Sequence, residues 1–111
     1  MEIIRSSADV SLVFKEGKRF NTPDLTLIVL RQEKQHGHNG RAAFVAGKKL
    51  GNAVWRNRAK RRMRAVCHDV EGPFEGYDVV FLAKKSTNDV SYKKLVLSAE
   101  RIIDREGLKT R

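Results

Sequence analysis

The sequence predicts one small domain that combines α-helices with β-strands. Its 111 residues, 41% of them apolar, are enough for one modest hydrophobic core but too few for two separate cores. Short apolar runs with β-branched residues alternate with segments whose apolar residues recur every three or four positions. The runs are typical of buried strands, and the recurring pattern is typical of amphipathic helices. We therefore expect an α/β (α+β) fold that forms a single domain over residues 1–111.

The first predicted element is a helix over residues 6–14, "SSADVSLVF". Ser6 can serve as its N-cap, and Asp9, three residues later, can complete a capping box. Val10, Val13 and Phe14 then fall on one face at helical spacing. Gly17 in the following "EGKRF" is predicted to end the helix.

Two strands are predicted next. "LTLIVL", residues 25–30, is a compact apolar run that follows the breaker "TP". "EKQHGHNG", residues 33–40, is polar with two glycines and is predicted to be a loop. "RAAFVAG", residues 41–47, is then predicted to return antiparallel to the first strand.

The second half of the chain predicts a helix, a strand and a helix. Asn52 is the predicted N-cap of a helix that ends before "EGP" at 71–73. "YDVVFLAKK", residues 77–85, reads as a buried strand, and residues 86–107 as a capped helix. The stripes predicted to face the core are Trp55, Ala59, Met63, Val66 and Cys67 in the first helix, and Leu95, Ala99, Ile102 and Ile103 in the second.

Positive charge is concentrated in one third of the chain. The formal net charge is +10 at pH 7. Residues 34–68 contain ten Lys and Arg residues and no Asp or Glu, while the other 13 Lys and Arg residues are balanced by all 13 Asp and Glu residues. A focused field of this kind favours a polyanionic partner, most often a nucleic acid.

The centre of this field is the helix predicted to follow Asn52. Arg61 and Arg64 fall with Asn57 on a different side from the apolar stripe, with further cations beside them. Arginine can bind a phosphate at two points, and an Asn side chain can read a sugar hydroxyl or a base edge. The candidate binding residues are the N-cap Asn52 and a set called the basic ridge below: Arg56, Asn57, Arg58, Lys60, Arg61 and Arg64.

Such a helix is weakened by its own charge. Like charges three or four positions apart repel by a few tenths of a kcal/mol per pair. Contact with phosphates removes this cost and releases counterions, so binding is favourable and depends steeply on salt. The alternative is a basic face that meets only solvent, which is the usual meaning of a charge run. The lack of any acid in residues 34–68 favours binding.

Aromatic residues form a second candidate surface. Phe14 and Phe20 flank "KEGKR". Phe44 lies within a predicted strand, close to Lys48 and Lys49. Rings beside cations can stack on unpaired bases, but aromatic residues at helical or strand spacing are also typical of a core. Both interpretations stay open for Phe14 and Phe44, whereas the position of Phe20 after two bases favours binding.

The sequence gives only weak support for a metal site or a catalytic nucleophile. The acids are scattered and absent from the basic segment, whereas a metal-dependent nuclease needs converging carboxylates. The pairs His36-x-His38 and Cys67-His68 match no usual zinc spacing. Cys67 lies on an apolar stripe and is expected in the core.

The cellular compartment is predicted from what the sequence lacks. A single cysteine excludes an internal disulfide and suits a reducing compartment. No apolar run approaches the roughly 20 residues of a membrane span, and "MEIIRSSADV" lacks the blocks of a signal peptide. A cytoplasmic protein with no membrane partner is predicted.

The motif "GKKLGNAVWRNRAKRRMR" closely resembles the signature of the protein subunit of bacterial ribonuclease P. "VFKEGKRF" is similar to the end of that family's first helix, and "YDVVFLAKK" to its last strand. The similarity in order and spacing covers nearly the whole chain. Three positions depart from the family pattern: Gly47 stands where Ser is common, Ala65 where Glu is frequent, and Val10 where an aromatic residue is frequent.

The resemblance implies a fold and an activity. The fold is an α/β sandwich with a mixed sheet of about four strands and helices on one face. The basic helix would join parallel third and fourth strands by a left-handed β-α-β crossover, against the usual rule. The activity would be that of an accessory subunit, because the family's large RNA cuts precursor tRNA and releases its 5′ leader with the aid of magnesium. The implied partners are ribonuclease P RNA, with one protein per RNA, and precursor tRNA, and magnesium would be bound mainly by the RNA.

The resemblance also assigns roles by position. The basic ridge would contact the catalytic RNA, and no residue of this chain would be catalytic or ligate a metal. A cleft for the single-stranded leader would contain Phe14, Lys15, Phe20, Phe44, Lys48 and Lys49. Because cations screen repulsion between RNA chains, the expected effect is on substrate affinity and magnesium occupancy.

Two other classes of protein share part of the pattern. A small ribosomal protein would have similar size and charge but no need of a leader cleft. A standalone nuclease would need its acids to converge after folding.

Overall fold

The computed structural model describes residues 1–32 and 39–109. The helices and strands in these residues are α1 (Ser7–Glu16), β1 (Lys18–Asn21), β2 (Leu25–Arg31), β3 (Arg41–Val45), α2 (Ala53–Asp69), β4 (Tyr77–Ala83) and α3 (Tyr92–Glu106). Short 3₁₀ turns lie at Lys48–Leu50 and Lys85–Asn88. Most of the predicted loop at 33–40 falls outside the described residues. Within them, no helix is long and apolar enough to cross a membrane.

Each helix begins at a residue that satisfies a backbone donor of its first turn. Ser6 Oγ accepts the N–H of Asp9 at 3.3 Å, and Asn52 Oδ1 accepts an N–H of α2 at 2.9 Å. These bonds satisfy donors that have no partner within the helix, and they confirm both predicted caps. The third helix starts later than predicted, because Lys85–Asn88 form a separate 3₁₀ turn and Ser91 caps α3.

The four strands form one mixed sheet in the order β1-β2-β4-β3. β2 is antiparallel to both β1 and β4, while β3 is parallel to β4. The prediction that residues 41–47 return antiparallel to the strand at 25–30 is therefore wrong. β4 is buried along nearly its whole length, and it lies between β2 and β3 in the sheet. The pattern also misses β1, "KRFN", because only one of its residues is apolar.

The connection from β3 through α2 to β4 is left-handed. The N–H and C=O of Ala42 in β3 bond to Glu2 and Ile4 at 3.1 and 2.9 Å, on the side away from β4. The side chain of Ala42 packs in the same core cluster as residues of α2. View the sheet from α2 with β3 running upward, so that the Ala42 side chain points toward the viewer. In an L-residue the N–H and C=O then point to the right, toward Glu2 and Ile4, and β4 lies to the left of β3. The crossover therefore has the uncommon hand.

Alternate strand residues face opposite sides of the sheet and create two apolar clusters. The larger cluster packs α2 and α3 on one face around fully buried Met63, Phe81 and Leu95. The smaller cluster packs α1 on the other face through Val13 and Ile28. Helices thus cover both faces, which corrects the expectation of helices on one face, although α2 and α3 do share one. The predicted inward stripes of α2 and α3 are buried, except that Trp55 is only half-buried.

Gly17 is the C-cap of α1, and its surroundings leave no room for a side chain. A Cβ at this position would lie 2.5 Å from the carbonyl oxygen of Val13 and 2.8 Å from Cγ2 of Ile28. We expect Gly17→Ala to lower the free energy of unfolding in urea by about 2 kcal/mol, a usual cost of overpacking. Gly47→Ala is the matched control and should be neutral or slightly stabilising, since nothing lies within 4 Å of its Cβ position. Equal losses in the two variants would contradict the steric explanation.

Candidate nucleic-acid interface

α2 presents its cations to solvent because its apolar stripe holds the opposite side against the sheet. Asn57, Arg58, Arg61 and Arg64 are exposed, and Arg56 and Lys60 are half-buried. No residue of the basic ridge forms a salt bridge with any part of the chain that the structure describes. The positive field of the ridge is therefore left for a partner to neutralise.

Two polar residues of the same segment have local structural roles. Asn52 is exposed, but its side-chain oxygen accepts the N–H of Trp55 and so serves the start of α2. Arg62 is half-buried, and its Nη2 donates to the carbonyl oxygen of Val90 at 2.6 Å. Arg62 thus ties α2 to the segment before α3 and stands apart from the ridge.

A cleft of about 510 Å³ lies along the edge strand β3 and is called the β3 cleft below. Its wall on α2 consists of four ridge residues: Asn57, Lys60, Arg61 and Arg64. The rest of its lining is apolar: Ile3, Ile4, Val10, Ala43, Phe44 and Val45. A cationic wall beside an apolar floor suits a single nucleic-acid strand, whose phosphates and bases face different directions.

Phe44 holds one of the cations of this wall in place. Its ring centroid lies 5.3 Å from that of Phe81 and 5.6 Å from the guanidinium carbon of Arg64. A cation over an aromatic face is attracted by about 0.5–1 kcal/mol at an exposed site. In the free protein, Phe44 therefore positions Arg64 over the β3 cleft.

The β3 cleft is continuous with the face of the sheet that carries α1. Val10 and Val45 line the cleft and also pack, together with Phe14 and Leu82, around the smaller core cluster. All four side chains are only partly buried. Val45 and Leu82 are paired in register across β3 and β4, so they form one apolar step between the cleft and Phe14. Sequence reasoning missed both, because each lies in an apolar run that indicates core.

The predicted leader lysines lie at the ends of this surface. Lys15 is exposed near the end of α1. Lys48 and Lys49 are exposed in the 3₁₀ turn that follows β3. The structure thus places Lys15 on the helix that carries Phe14, and Lys48 and Lys49 in the turn just after the strand that carries Phe44.

The three phenylalanines of the predicted leader cleft do not lie together. Phe20 lies on β1, at the opposite edge of the sheet from β3, and its neighbour in register is Leu27. Its ring is only 8% exposed and packs in the larger cluster, away from Phe14. The expectation of one cleft that contains Phe14, Phe20 and Phe44 is therefore not met. The strand order separates Phe20 from Phe44, which packs on the same face of the sheet. Phe14 packs on the other face, where its ring lies 5.6 Å from the guanidinium carbon of Arg19 on β1, so the sheet itself lies between it and Phe20.

Arg41 holds α1 against the sheet. Its Nε and Nη2 donate to the two carboxylate oxygens of Asp78 at 3.0 and 2.6 Å, and its Nη1 donates to Asp9 of α1 at 3.4 Å. The Asp78 side chain is 9% exposed and that of Asp9 is 41% exposed. The hydrogen bond to Asp78 outweighs burial and raises the pKa of Arg41 above its ordinary value. Arg41, one of the ten cations of the basic segment, is therefore neutralised within the fold.

Groups suited to catalysis are sparse in the described residues. Within 1–32 and 39–109, no group of three or more His, Cys, Asp or Glu could hold a metal ion. His36 and His38 lie outside these ranges, so the zinc interpretation is not tested there. Cys67 is fully buried, as predicted, and burial raises the pKa of its thiol to about 12. At neutral pH almost none of it is the reactive thiolate.

Comparisons with known proteins agree with the resemblance seen in the sequence. A family model described as Ribonuclease P matches residues 1–107. The chain is 36% identical over 93 residues to the ribonuclease P protein component of Finegoldia magna, covering 83% of this chain and 79% of that protein. It is 31% identical over 106 residues to the component of Oceanobacillus iheyensis, covering 95% and 86%.

Solved structures show the same fold. The RNase P protein of Staphylococcus aureus matches with a TM-score of 0.81 at 21% identity, covering 99% of both chains. That of Thermotoga maritima matches with a TM-score of 0.75 at 23% identity, covering 100% of this chain and 98% of that one. These likenesses confirm the mixed four-stranded sheet with three helices, and the family match sets the ribosomal-protein alternative aside. The chain therefore belongs to the family of bacterial ribonuclease P protein components, which form part of a tRNA-processing ribonuclease.

Proposed function

We propose that this chain is a noncatalytic RNA-binding domain that binds the catalytic RNA of ribonuclease P and the 5′ leader of precursor tRNA. The observation that carries the proposal is the β3 cleft, where Lys60, Arg61 and Arg64 stand beside an apolar floor. One protein binds one RNA, and the RNA breaks the bond.

The basic ridge is the surface for the catalytic RNA. Its unpaired cations neutralise phosphates and release counterions, so affinity falls steeply as salt rises. Its arginines add two-point contacts that favour one orientation of the protein on the RNA. Arg58 is exposed on the ridge but does not line the β3 cleft, so it extends the contact beyond the cleft.

The leader follows the surface from the β3 cleft to Phe14. Val45, Leu82 and Phe14 offer partly buried apolar side chains to unpaired bases, and Lys15 and Lys48 stand near the two ends for phosphates. Phe14 also has a cation close to its ring, since the guanidinium carbon of Arg19 lies 5.6 Å from its centroid. Bases that reach Phe14 thus meet both a ring and a charge.

Magnesium would be held mainly by the RNA partner. Protein cations near the junction of two RNA chains lower their mutual repulsion, so the substrate docks at lower magnesium than it would on RNA alone. Because both partners are RNAs of the tRNA-processing pathway, we propose a cytoplasmic location.

Leader contacts should appear as a difference between two substrates. A holoenzyme of this chain and a bacterial ribonuclease P RNA should bind a precursor tRNA with a leader of about five nucleotides roughly tenfold more tightly than tRNA without a leader. Phe14→Ala should remove most of that difference by weakening only the leader-bearing complex. Leu97→Ala, which truncates an apolar side chain 48% exposed on α3, is the matched control. Equal losses for both substrates in Phe14→Ala would contradict the leader role.

A further inference from the structure

We propose that the β1 edge of the sheet carries a second contact site for single-stranded RNA, distinct from the β3 cleft. The site, called the β1 groove, has a volume of about 300 Å³. Its lining consists of Lys18, Phe20, Val29, Arg31, Tyr77 and Glu106, and Arg105 lies beside it over Phe20. The inference rests on the proposed function in one respect, namely that this chain binds RNA.

Cations converge on this groove and exceed the acids there. Lys18 pairs in register with Val29, and Arg31 lies two residues beyond Val29, so both side chains project on the same face of the sheet. Both are exposed, and neither forms a salt bridge in the described chain. Arg105 pairs with Glu106 at 3.3 Å, the one acid of the lining. Two cations are thus left without an acid, and phosphates would relieve their repulsion.

The ring of Phe20 holds two cations of the groove, Lys18 and Arg105, and the ring of Tyr77 offers a surface for a base. The Nζ of Lys18 lies 5.4 Å from the ring centroid of Phe20, and the guanidinium carbon of Arg105 lies 5.9 Å from it. Because Phe20 is held in the core, it positions both cations. Tyr77 is half-buried and pairs in register with Arg31, so a ring and a guanidinium stand side by side. This combination favours an unpaired nucleotide over an acidic peptide, which would use the charges alone.

The groove and the β3 cleft cannot be one site. They share no lining residue. Lys18 and Phe20 of the groove lie on β1, three strand spacings of about 4.8 Å each, roughly 14 Å, from β3, although the groove extends across the sheet to Tyr77 on β4. An RNA partner therefore meets this protein on two sides, and the strand bound in the β1 groove is an unpaired segment other than the one in the cleft.

Residue-resolved NMR tests the two sites separately. A uridine hexanucleotide titrated into the full-length labelled protein should shift the backbone amides of Phe20, Arg31 and Tyr77 as well as those of the ridge. The double variant Lys18→Ala/Arg31→Ala should weaken binding at the groove about tenfold and leave the ridge shifts unchanged. The pair Lys93→Ala/Lys94→Ala removes the same charge from exposed positions on α3 and should leave both sets unchanged.

Each other outcome overturns a different statement. Shifts at the ridge alone would overturn the groove and leave the proposed function standing. Shifts at neither surface would overturn both. A hexaglutamate peptide that shifts the groove amides with the same affinity as the RNA would overturn the assignment to RNA. Equal weakening by the Lys93/Lys94 pair would show that net charge, and not the groove, drives the binding.

Discussion

Replacing Lys60, Arg61 and Arg64 together with Ala is expected to weaken binding to ribonuclease P RNA about 100-fold at near-physiological salt. The three side chains share one wall of the β3 cleft and form no salt bridge with the described residues. If each contact with RNA contributes about 1 kcal/mol net, their joint loss is about 3 kcal/mol, or roughly two powers of ten in Kd. The slope of log K against log salt should also fall by about two to three.

The control for this variant removes the same charge elsewhere. Lys85, Lys93 and Lys94 are exposed and lie outside the basic ridge. Their joint replacement with Ala should change the affinity by less than about threefold, because charges beyond a Debye length of the RNA are largely screened. Filter-binding titrations at several salt concentrations measure both quantities. An equal loss in the two triple variants would mean that net charge alone accounts for binding.

Arg41→Ala is expected to lower the free energy of unfolding by about 3 kcal/mol. Removing one partner of a buried ion pair leaves the other charge poorly compensated, which is strongly destabilising. Gln32 Nε2 still donates to Asp78 at 2.9 Å, so the carboxylate keeps part of its hydrogen bonding. The pKa of Arg41 is raised, so its contribution is present below its ordinary pKa and is lost only at higher pH. Urea denaturation near neutral pH should therefore show the full loss.

Two further variants separate burial from charge in this network. Asp9→Asn removes only the charge of the more exposed partner, whose oxygen lies 3.4 Å from Arg41, and should cost less than about 1 kcal/mol. Arg41→Lys keeps the charge but not the two-point geometry on Asp78, so it should fall between the two. A cost for Asp9→Asn as large as that of Arg41→Ala would contradict the view that the buried pair carries the stability.

Local patterns predicted the helices well. The caps at Ser6 and Asn52 and the inward stripe of α2 depend only on residues within a few positions of each other. Strand pairing depends on contacts between distant residues, and there the pattern failed. Residues 41–47 follow β2 in the chain, yet their partner is β4, whose continuous burial fits the position between two neighbours.

In the candidate site, too, features set by local sequence were predicted, and features set by contacts between distant residues were not. The cations of α2 could be recognised because charge and helical period are visible in the sequence. The neutralisation of Arg41 could not, since its partner Asp78 lies 37 residues away. The separation of Phe20 from Phe44 follows from the strand order, and its separation from Phe14 follows from the face of the sheet on which each packs. No local signal in the sequence marks either.

We propose that this chain binds RNA and that an RNA partner cleaves the substrate. Cleavage of precursor tRNA at low magnesium should be measured with this chain alone, with a bacterial ribonuclease P RNA alone, and with both. We predict no cleavage by the chain, slow cleavage by the RNA, and much faster cleavage by the mixture, with the gain lost in the Lys60/Arg61/Arg64 variant. Cleavage by the chain without RNA, or no gain on adding it to the RNA, would contradict the claim.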